Sequence, residues 1–233
     1  MRDTRLGRRL RIVALSGRGR ECPCCRSSWR RFAEFNGRRD SLCPRCGSLE
    51  RHRALAIYLR AAELPREADE VLHFAPEPSI RRVLARSPGG YVSSDLEPGL
   101  AAVTADIAAL PFEDGRFGLV VCSHVLEHVT DDRAALSELR RVCAPGGVVL
   151  VMVPRDDGLE HTDEDPSVTD PEERRRRFLQ EDHVRLYGRD LEGRLAAAGF
   201  TVDRTVPSLE QGPDPARRHG LQSEDEIFDC RPA

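Results

Sequence analysis

The sequence predicts an α/β protein, in which a doubly wound, mostly parallel sheet follows a small cysteine-bearing module. Three observations carry this. From residue 70 onward, short apolar runs bounded by turn residues alternate with segments of helical spacing. Ahead of them stand two Cys-x-x-Cys pairs. The charge also changes sign along the chain. Residues 1–66 hold 17 Arg against 6 Asp and Glu, a balance of +11. Residues 67–233 hold 19 Arg against 33 acids, a balance of −14, and the two sum to the net −3. A step of that size separates two modules and permits an anionic partner for the first. Mutual attraction of the two halves explains it equally well.

Residues 1–20 read as a basic arm with a loose stripe of Leu6, Leu10, Val13 and Leu15. Residues 21–66 read as a cysteine module, with Trp29, Phe32 and Phe35 as its miniature core, followed by a helix. That helix is "SLERHRALAIYLRAAEL", with Ser48 as its cap. Glu50, Arg51 and Arg53 on its first turns suggest a solvated or interdomain face, or a substrate contact. The remainder, 67–233, carries the alternation. Strands are expected at "EVLHF", "GYVSSDL", "VTAD", "FGLVVCSH", "GVVLVMVP", "TVDRTV" and "DEIFDCR". Helices are expected at "SIRRVLARS", "DDRAALSELRRVC" and "DLEGRLAAAGF", the last closed by Gly199. The charged stretch 155–187 interrupts this rhythm and reads as an inserted lid. Its acids, Asp156 to Asp165, fit a solvated flap, and "EERRRR" a helix with ion pairs along one face.

Cys22, Cys25, Cys43 and Cys46 have the spacing of a tetrahedral Zn²⁺ site. Cys24 competes with Cys22 for a place, and the two-residue spacing favours Cys22. Four thiolates leave no open position, so such an ion organises a fold and does not catalyse. Cys122, Cys143 and Cys230 read as buried or idle thiols. No run of 18 apolar residues occurs, and the Arg-rich start lacks the apolar core of a secretory signal. The default expectation is therefore a soluble cytoplasmic protein with no membrane partner.

The stretch "DIAALPFEDGRFGLVVCSHVLEHVTDDRAALSELRRVCAPGGVVLVMVP", from Asp106 to Pro154, resembles the class I S-adenosylmethionine-dependent methyltransferases of the type 11 branch. The resemblance extends over residues 70–206. It implies a Rossmann-like, seven-stranded sheet and S-adenosyl-L-methionine as cofactor. Ligands in such sheets bind beyond the C-terminal strand ends. Asp95 is thereby expected to accept the ribose hydroxyls. Asp106 is expected to accept the adenine amine, with Ile107 packed on the ring, and Ser123 and His124 to lie beside the methyl group. The family's loop after the first strand is D-x-G-x-G-x-G. Here it reads "HFAPEPS", so His73 stands at the acid position and Ala75, Glu77 and Ser79 at the glycines. Ala75 is still small, Pro76 stiffens the turn, and Glu77 offers a carboxylate to the methionine ammonium.

Methyl transfer needs alignment and, for some acceptors, a base. Histidine suits that task near neutral pH. The candidates are His183 in "EDHVRLYG", then His124, then His128 of "LEH", which reads equally as architecture. The expected acceptor is a small molecule or sugar under the lid. RNA gripped by the basic module is the alternative. A catalytically inactive adaptor on the same fold is a third reading.

Overall fold

A computed structural model describes residues 12–233. Residues 1–11, including Leu6 and Leu10 of the expected stripe, lie outside the described residues. The strands in chain order begin with β1 (Ser16–Cys22), β2 (Ser27–Trp29), β3 (Ala33–Phe35) and β4 (Arg38–Leu42). Helix α1 (Glu50–Ala61), strand β5 (Val71–Phe74), helix α2 (Pro78–Leu84), β6 (Tyr91–Asp95) and β7 (Val103–Thr104) follow. Next come β8 (Phe117–Ser123), a 3-10 turn (Leu126–His128), α3 (Asp132–Val142) and β9 (Cys143–Met152). The chain continues with β10 (Asp163–Glu164), α4 (Pro171–Phe178), β11 (Arg185–Leu186) and α5 (Leu191–Ala197). It ends with β12 (Phe200–Thr205), α6 (Pro207–Glu210), α7 (Pro213–His219) and β13 (Ile227–Pro232). No helix among the described residues is long and apolar enough to cross a membrane.

The residues divide into two units. One comprises the described residues up to Leu64, with Glu77–Arg86 and Val206–Asp225; the other comprises Pro65–Pro76, Ser87–Thr205 and Glu226–Ala233.

In the first unit, β1 pairs with β2 and β3 with β4, both antiparallel. The β3–β4 hairpin turns at Asn36 and Gly37, both at positive φ (48° and 77°). Asn-Gly is the pair that tolerates this conformation at both turn positions. Trp29 and Phe32 are buried, as their apolar size predicts. The helix starts one residue later than its sequence suggests. Leu49 is the N-cap, and its N–H is satisfied by Nδ1 of His52 at 3.0 Å. Ser48 does not cap because its hydroxyl lies 3.2 Å from the Cys22 sulfur.

Arg53 departs most from expectation. It is fully buried, not part of a solvated face. Its guanidinium donates to the carbonyls of Ser41 (2.7 Å), Ser48 (2.9 Å), His219 (2.6 Å) and Gly220 (2.8 Å). It also sits 4.1 Å from the Phe32 ring centroid. The planar fork of donors lets one side chain tie four carbonyls on three chain segments, which a lysine could not do.

The second unit holds the predicted seven-stranded sheet, in the order β12-β13-β9-β8-β5-β6-β7. Only β13 runs antiparallel to its neighbours. β8 is buried along its whole length, which is why it reads as a continuous apolar run. The buried stripe Ala135, Leu136, Leu139 and Val142 of α3 belongs to the same core. The order reverses between β5 and β8. Chain after β5 goes to one side through β6 and β7, and β8 and β9 lie on the other. That reversal opens a crevice at the C-terminal strand ends.

The 155–187 segment is ordered by its own charges. Arg177 pairs with Asp163 (2.6 Å) and Asp165 (3.1 Å). Arg175 and Arg176 pair with Glu172 and Glu173 one turn earlier. The acidic run is therefore matched by the basic run of α4. At the segment's end, Arg185 is buried and donates to the carbonyls of Leu126, Val129 and Thr130. Tyr187 donates to Asp132.

Candidate active site and metal centre

Beyond the C-terminal ends of β5, β6, β7 and β8 lies a pocket of about 450 Å³. That size suits a nucleoside-sized ligand. Six of the residues singled out in the sequence line it: Ala75, Asp95, Asp106, Ile107, His124 and His128. Asp95 ends β6, and its Oδ1 accepts the Glu97 N–H at 2.9 Å. Asp106 does the same with the Ala108 N–H at 2.9 Å. Each carboxylate thus fixes its own loop with one oxygen and leaves the other for a ligand. Ile107 is buried at the wall, whereas Leu96, next to Asp95, is 72% exposed. The wall therefore offers apolar surface for a flat ring beside two hydrogen-bond acceptors.

Ala75 has φ 42°, in the left-handed region. The backbone here follows the turn a glycine would make, although the residue is alanine. A non-glycine residue pays about 1 kcal/mol for this conformation. The Ala75 N–H is anchored to the Ser94 carbonyl at 2.9 Å, which helps hold it. His124 is also left-handed, at φ 54°. Such strain concentrates where a side chain must be aimed at a ligand.

The other loop residues are placed differently. His73 is fully buried in β5, and its Nδ1 is 3.0 Å from the Tyr91 hydroxyl. Glu77 belongs to the first unit, where its Oε1 lies 3.2 Å from His52 Nε2. Pro76 precedes it and is half-buried. Ser123 is buried, with its hydroxyl directed at the Met152 sulfur. His183 is fully buried and packs edge-on against His128, with ring centroids 4.7 Å apart. Its burial lowers its pKa below the usual histidine value.

Sequence reasoning passed over Ser94, Thr130 and Asp131, which also line the pocket. Ser94 has a buried hydroxyl with no partner among the described residues. Its place next to the strand-ending acid was the available signal. Glu127 was noticed only as part of "LEH". It is 1% exposed and lies 3.2 Å from His124 Nδ1.

In the first unit, the sulfurs of Cys22, Cys25, Cys43 and Cys46 converge. Cys22 and Cys46 are 3.6 Å apart, and Cys25 and Cys43 are 3.7 Å apart. A tetrahedron with Zn–S bonds of about 2.3 Å has edges of about 3.8 Å, so the four sulfurs fit such an ion. Cys24 points instead at the His52 carbonyl, 3.4 Å away. The crowding pulls the thiol acidities apart. Contact with the Cys22 thiol lowers Cys25 to about 6 and lowers Cys43 as well.

Residues 79–151 match the sequence pattern of the family described as a methyltransferase domain. A demethylmenaquinone methyltransferase of Mycolicibacterium gilvum (strain PYR-GCK) is 36% identical over 94 residues, covering 36% of this chain and 41% of the relative. The chain thus spans less than half the length of that relative. Among solved structures, this chain is similar to one described as the complex between the Haloferax volcanii Trm112 methyltransferase activator and the putative methyltransferase. It has a TM-score of 0.53 at 16% identity, covering 78% of this chain and 91% of the other. A putative sarcosine dimethylglycine methyltransferase from Galdieria sulphuraria gives 0.51 at 17% identity, covering 81% and 88%. The sheet order and these likenesses agree on a Rossmann-like fold, within which residues 79–151 are similar to the methyltransferase-domain family.

Proposed function

We propose that the protein is an S-adenosylmethionine-dependent methyltransferase acting on a small-molecule or sugar acceptor, with a structural zinc ion in its cysteine module. The observation that carries this reading is the pairing of Asp95 and Asp106 on neighbouring strand ends, with Ile107 between them and the apolar wall. Asp95 takes the ribose hydroxyls, Asp106 the adenine amine, and Ile107 the ring face. The left-handed turn at Ala75 brings backbone, not side chain, to the methionine end. The bound cofactor supplies a methyl group on a sulfonium; the protein aligns the acceptor with it and removes a proton where the acceptor carries one.

His124 is the proposed base. It lines the pocket, its backbone is held in a strained conformation, and the Glu127 carboxylate stands 3.2 Å behind its Nδ1. An acid behind an imidazole orients the ring. His128 and His183 follow it around the same corner.

An RNA acceptor is the second reading, and one feature favours it. A cavity of about 430 Å³ in the first unit is walled by Arg26, Arg45, Arg60, Arg82 and Arg86, with no acidic residue on its wall. Guanidinium groups gathered this way suit phosphate groups.

Calorimetry with S-adenosylhomocysteine on zinc-loaded protein tests the main reading. Binding in the micromolar range or tighter is expected. No binding sinks both enzyme readings and leaves an inactive adaptor. RNA retained through a high-salt wash would favour the second reading over the first.

A further inference from the structure

Behind His128, which lines the pocket, stand buried groups that hydrogen bonding does not account for. Glu127 is 1% exposed, and although its Oε1 lies 3.2 Å from His124 Nδ1, neither carboxylate oxygen makes a hydrogen bond among the described residues. His183 is fully buried, and its Nε2 has no partner either. An isolated buried carboxylate is costly, and native folds pair such groups or place them on a metal.

Glu127, His128 and His183 each present one donor atom, all within 4.8 Å of one another. Each imidazole has its Nδ1 beside a backbone carbonyl. His183 Nδ1 is 2.8 Å from the Phe178 carbonyl, and His128 Nδ1 is 3.3 Å from the Asp182 carbonyl. Metal-bound histidines carry this outer hydrogen bond, which fixes the tautomer and turns the other nitrogen inward. The backbone supports the corner too. The Val184 N–H donates to the Glu127 carbonyl at 2.9 Å, and Arg185 donates to the Leu126 carbonyl at 2.9 Å. The end of the 155–187 segment is therefore stitched to the turn that carries Glu127 and His128.

We propose that Glu127, His128 and His183 form a second metal site, for a divalent transition ion, in the wall of the methyl-transfer pocket. Two histidines and one carboxylate are a donor set for Zn²⁺ or Fe²⁺, and three protein ligands leave coordination positions open. His128 both belongs to this set and lines the pocket, which puts the proposed ion next to the space where an acceptor would sit. The ligand class that follows is an acceptor with an oxygen donor, held and acidified by the ion. That last step rests on the methyltransferase reading; the metal site itself does not.

The test is cobalt titration of the zinc-loaded full chain, followed by absorption spectroscopy and metal counting by mass spectrometry. S-adenosylhomocysteine calorimetry is run on the same samples. The expected result is one equivalent of Co²⁺ beyond the zinc, with nitrogen and oxygen ligand-field bands and no thiolate charge transfer. His128→Ala, at a half-exposed position, should weaken that cobalt by more than about tenfold. Glu127→Gln should weaken it further. Cobalt seen only on thiolates, or bound equally by wild type and both variants, overturns the proposal. If cobalt fails while S-adenosylhomocysteine binds, only the metal site falls. If cobalt binds while S-adenosylhomocysteine does not, the methyltransferase reading falls and the site stands.

Discussion

Arg53 and Glu127 are both charged, both buried and both part of short motifs, yet the fold treats them in opposite ways. Arg53, in the first unit, has its guanidinium matched to four backbone carbonyls. Glu127, in the second, has two carboxylate oxygens with no hydrogen-bond partner among the described residues. A buried charge matched by hydrogen bonds is a structural fastener, whereas one that meets only a histidine, beside residues lining a pocket, marks a place prepared for something else. The contrast separates a unit that holds its own shape from a unit that holds a ligand.

The largest expected effect tests the fastener side. Removing the ion from the cysteine cluster, by chelation or by Cys43→Ser, should unfold the β1–β4 hairpins. Structural zinc in small modules is worth roughly 10–16 kcal/mol of folding free energy. Limited proteolysis should show cleavage within residues 16–47 before any within the sheet. Next comes Arg53→Met, which strands four backbone carbonyls, two of them in buried contacts, and should cost about 3 kcal/mol or more. Arg53→Lys should recover only part of that, because an ammonium cannot span the four acceptors. Chemical denaturation reads both. A loss under about 1 kcal/mol would make Arg53 a bystander.

On the ligand side, Asp95→Ala removes a charged acceptor. It should weaken S-adenosylhomocysteine by about 1.5–3 kcal/mol, roughly tenfold to a hundredfold, with stability nearly unchanged. Unchanged affinity would remove Asp95 from the site. A smaller effect is expected at the strained turn. Ala75→Gly should relieve the left-handed backbone and gain up to about 1 kcal/mol, offset in part by the freer unfolded chain. Clear destabilisation would contradict the strain argument.

The smallest effect concerns pH. Burial alone would raise the Glu164 carboxyl, but Arg194 and Arg185 more than reverse this and hold it below its ordinary 4.5. Thr162 and Arg194 likewise outweigh burial at Asp190 and lower it below 3.8. Groups with depressed folded values stabilise the native state above their unfolded values and stop doing so as pH falls. Hydrogen exchange in residues 155–187 should therefore stay slow at neutral pH and quicken below about 4.5. Both side chains are partly exposed, so the effect is modest.

The sheet was legible because its strands carry the pattern that burial demands. Seven apolar runs became seven strands, and the acids ending β6 and preceding Ile107 reached one pocket. Cysteine spacing likewise brought four sulfurs together, because metal geometry is written into local spacing. Long-range polar matches were not legible. Nothing local announces that Arg53 would meet carbonyls 166 and 167 residues away, or that Glu77 would meet His52. The glycine-free loop stayed ambiguous for a related reason. Alanine discourages positive φ, and only the surrounding hydrogen bonds show that Ala75 adopts it.

A crystal structure of the zinc-loaded chain with S-adenosylhomocysteine bound tests the central claim most directly. The account predicts ribose hydroxyls on Asp95, the adenine amine on Asp106 with Ile107 against the ring, and the sulfur turned toward His124 and His128. A cofactor bound elsewhere, or one that leaves both carboxylates facing solvent, would contradict it.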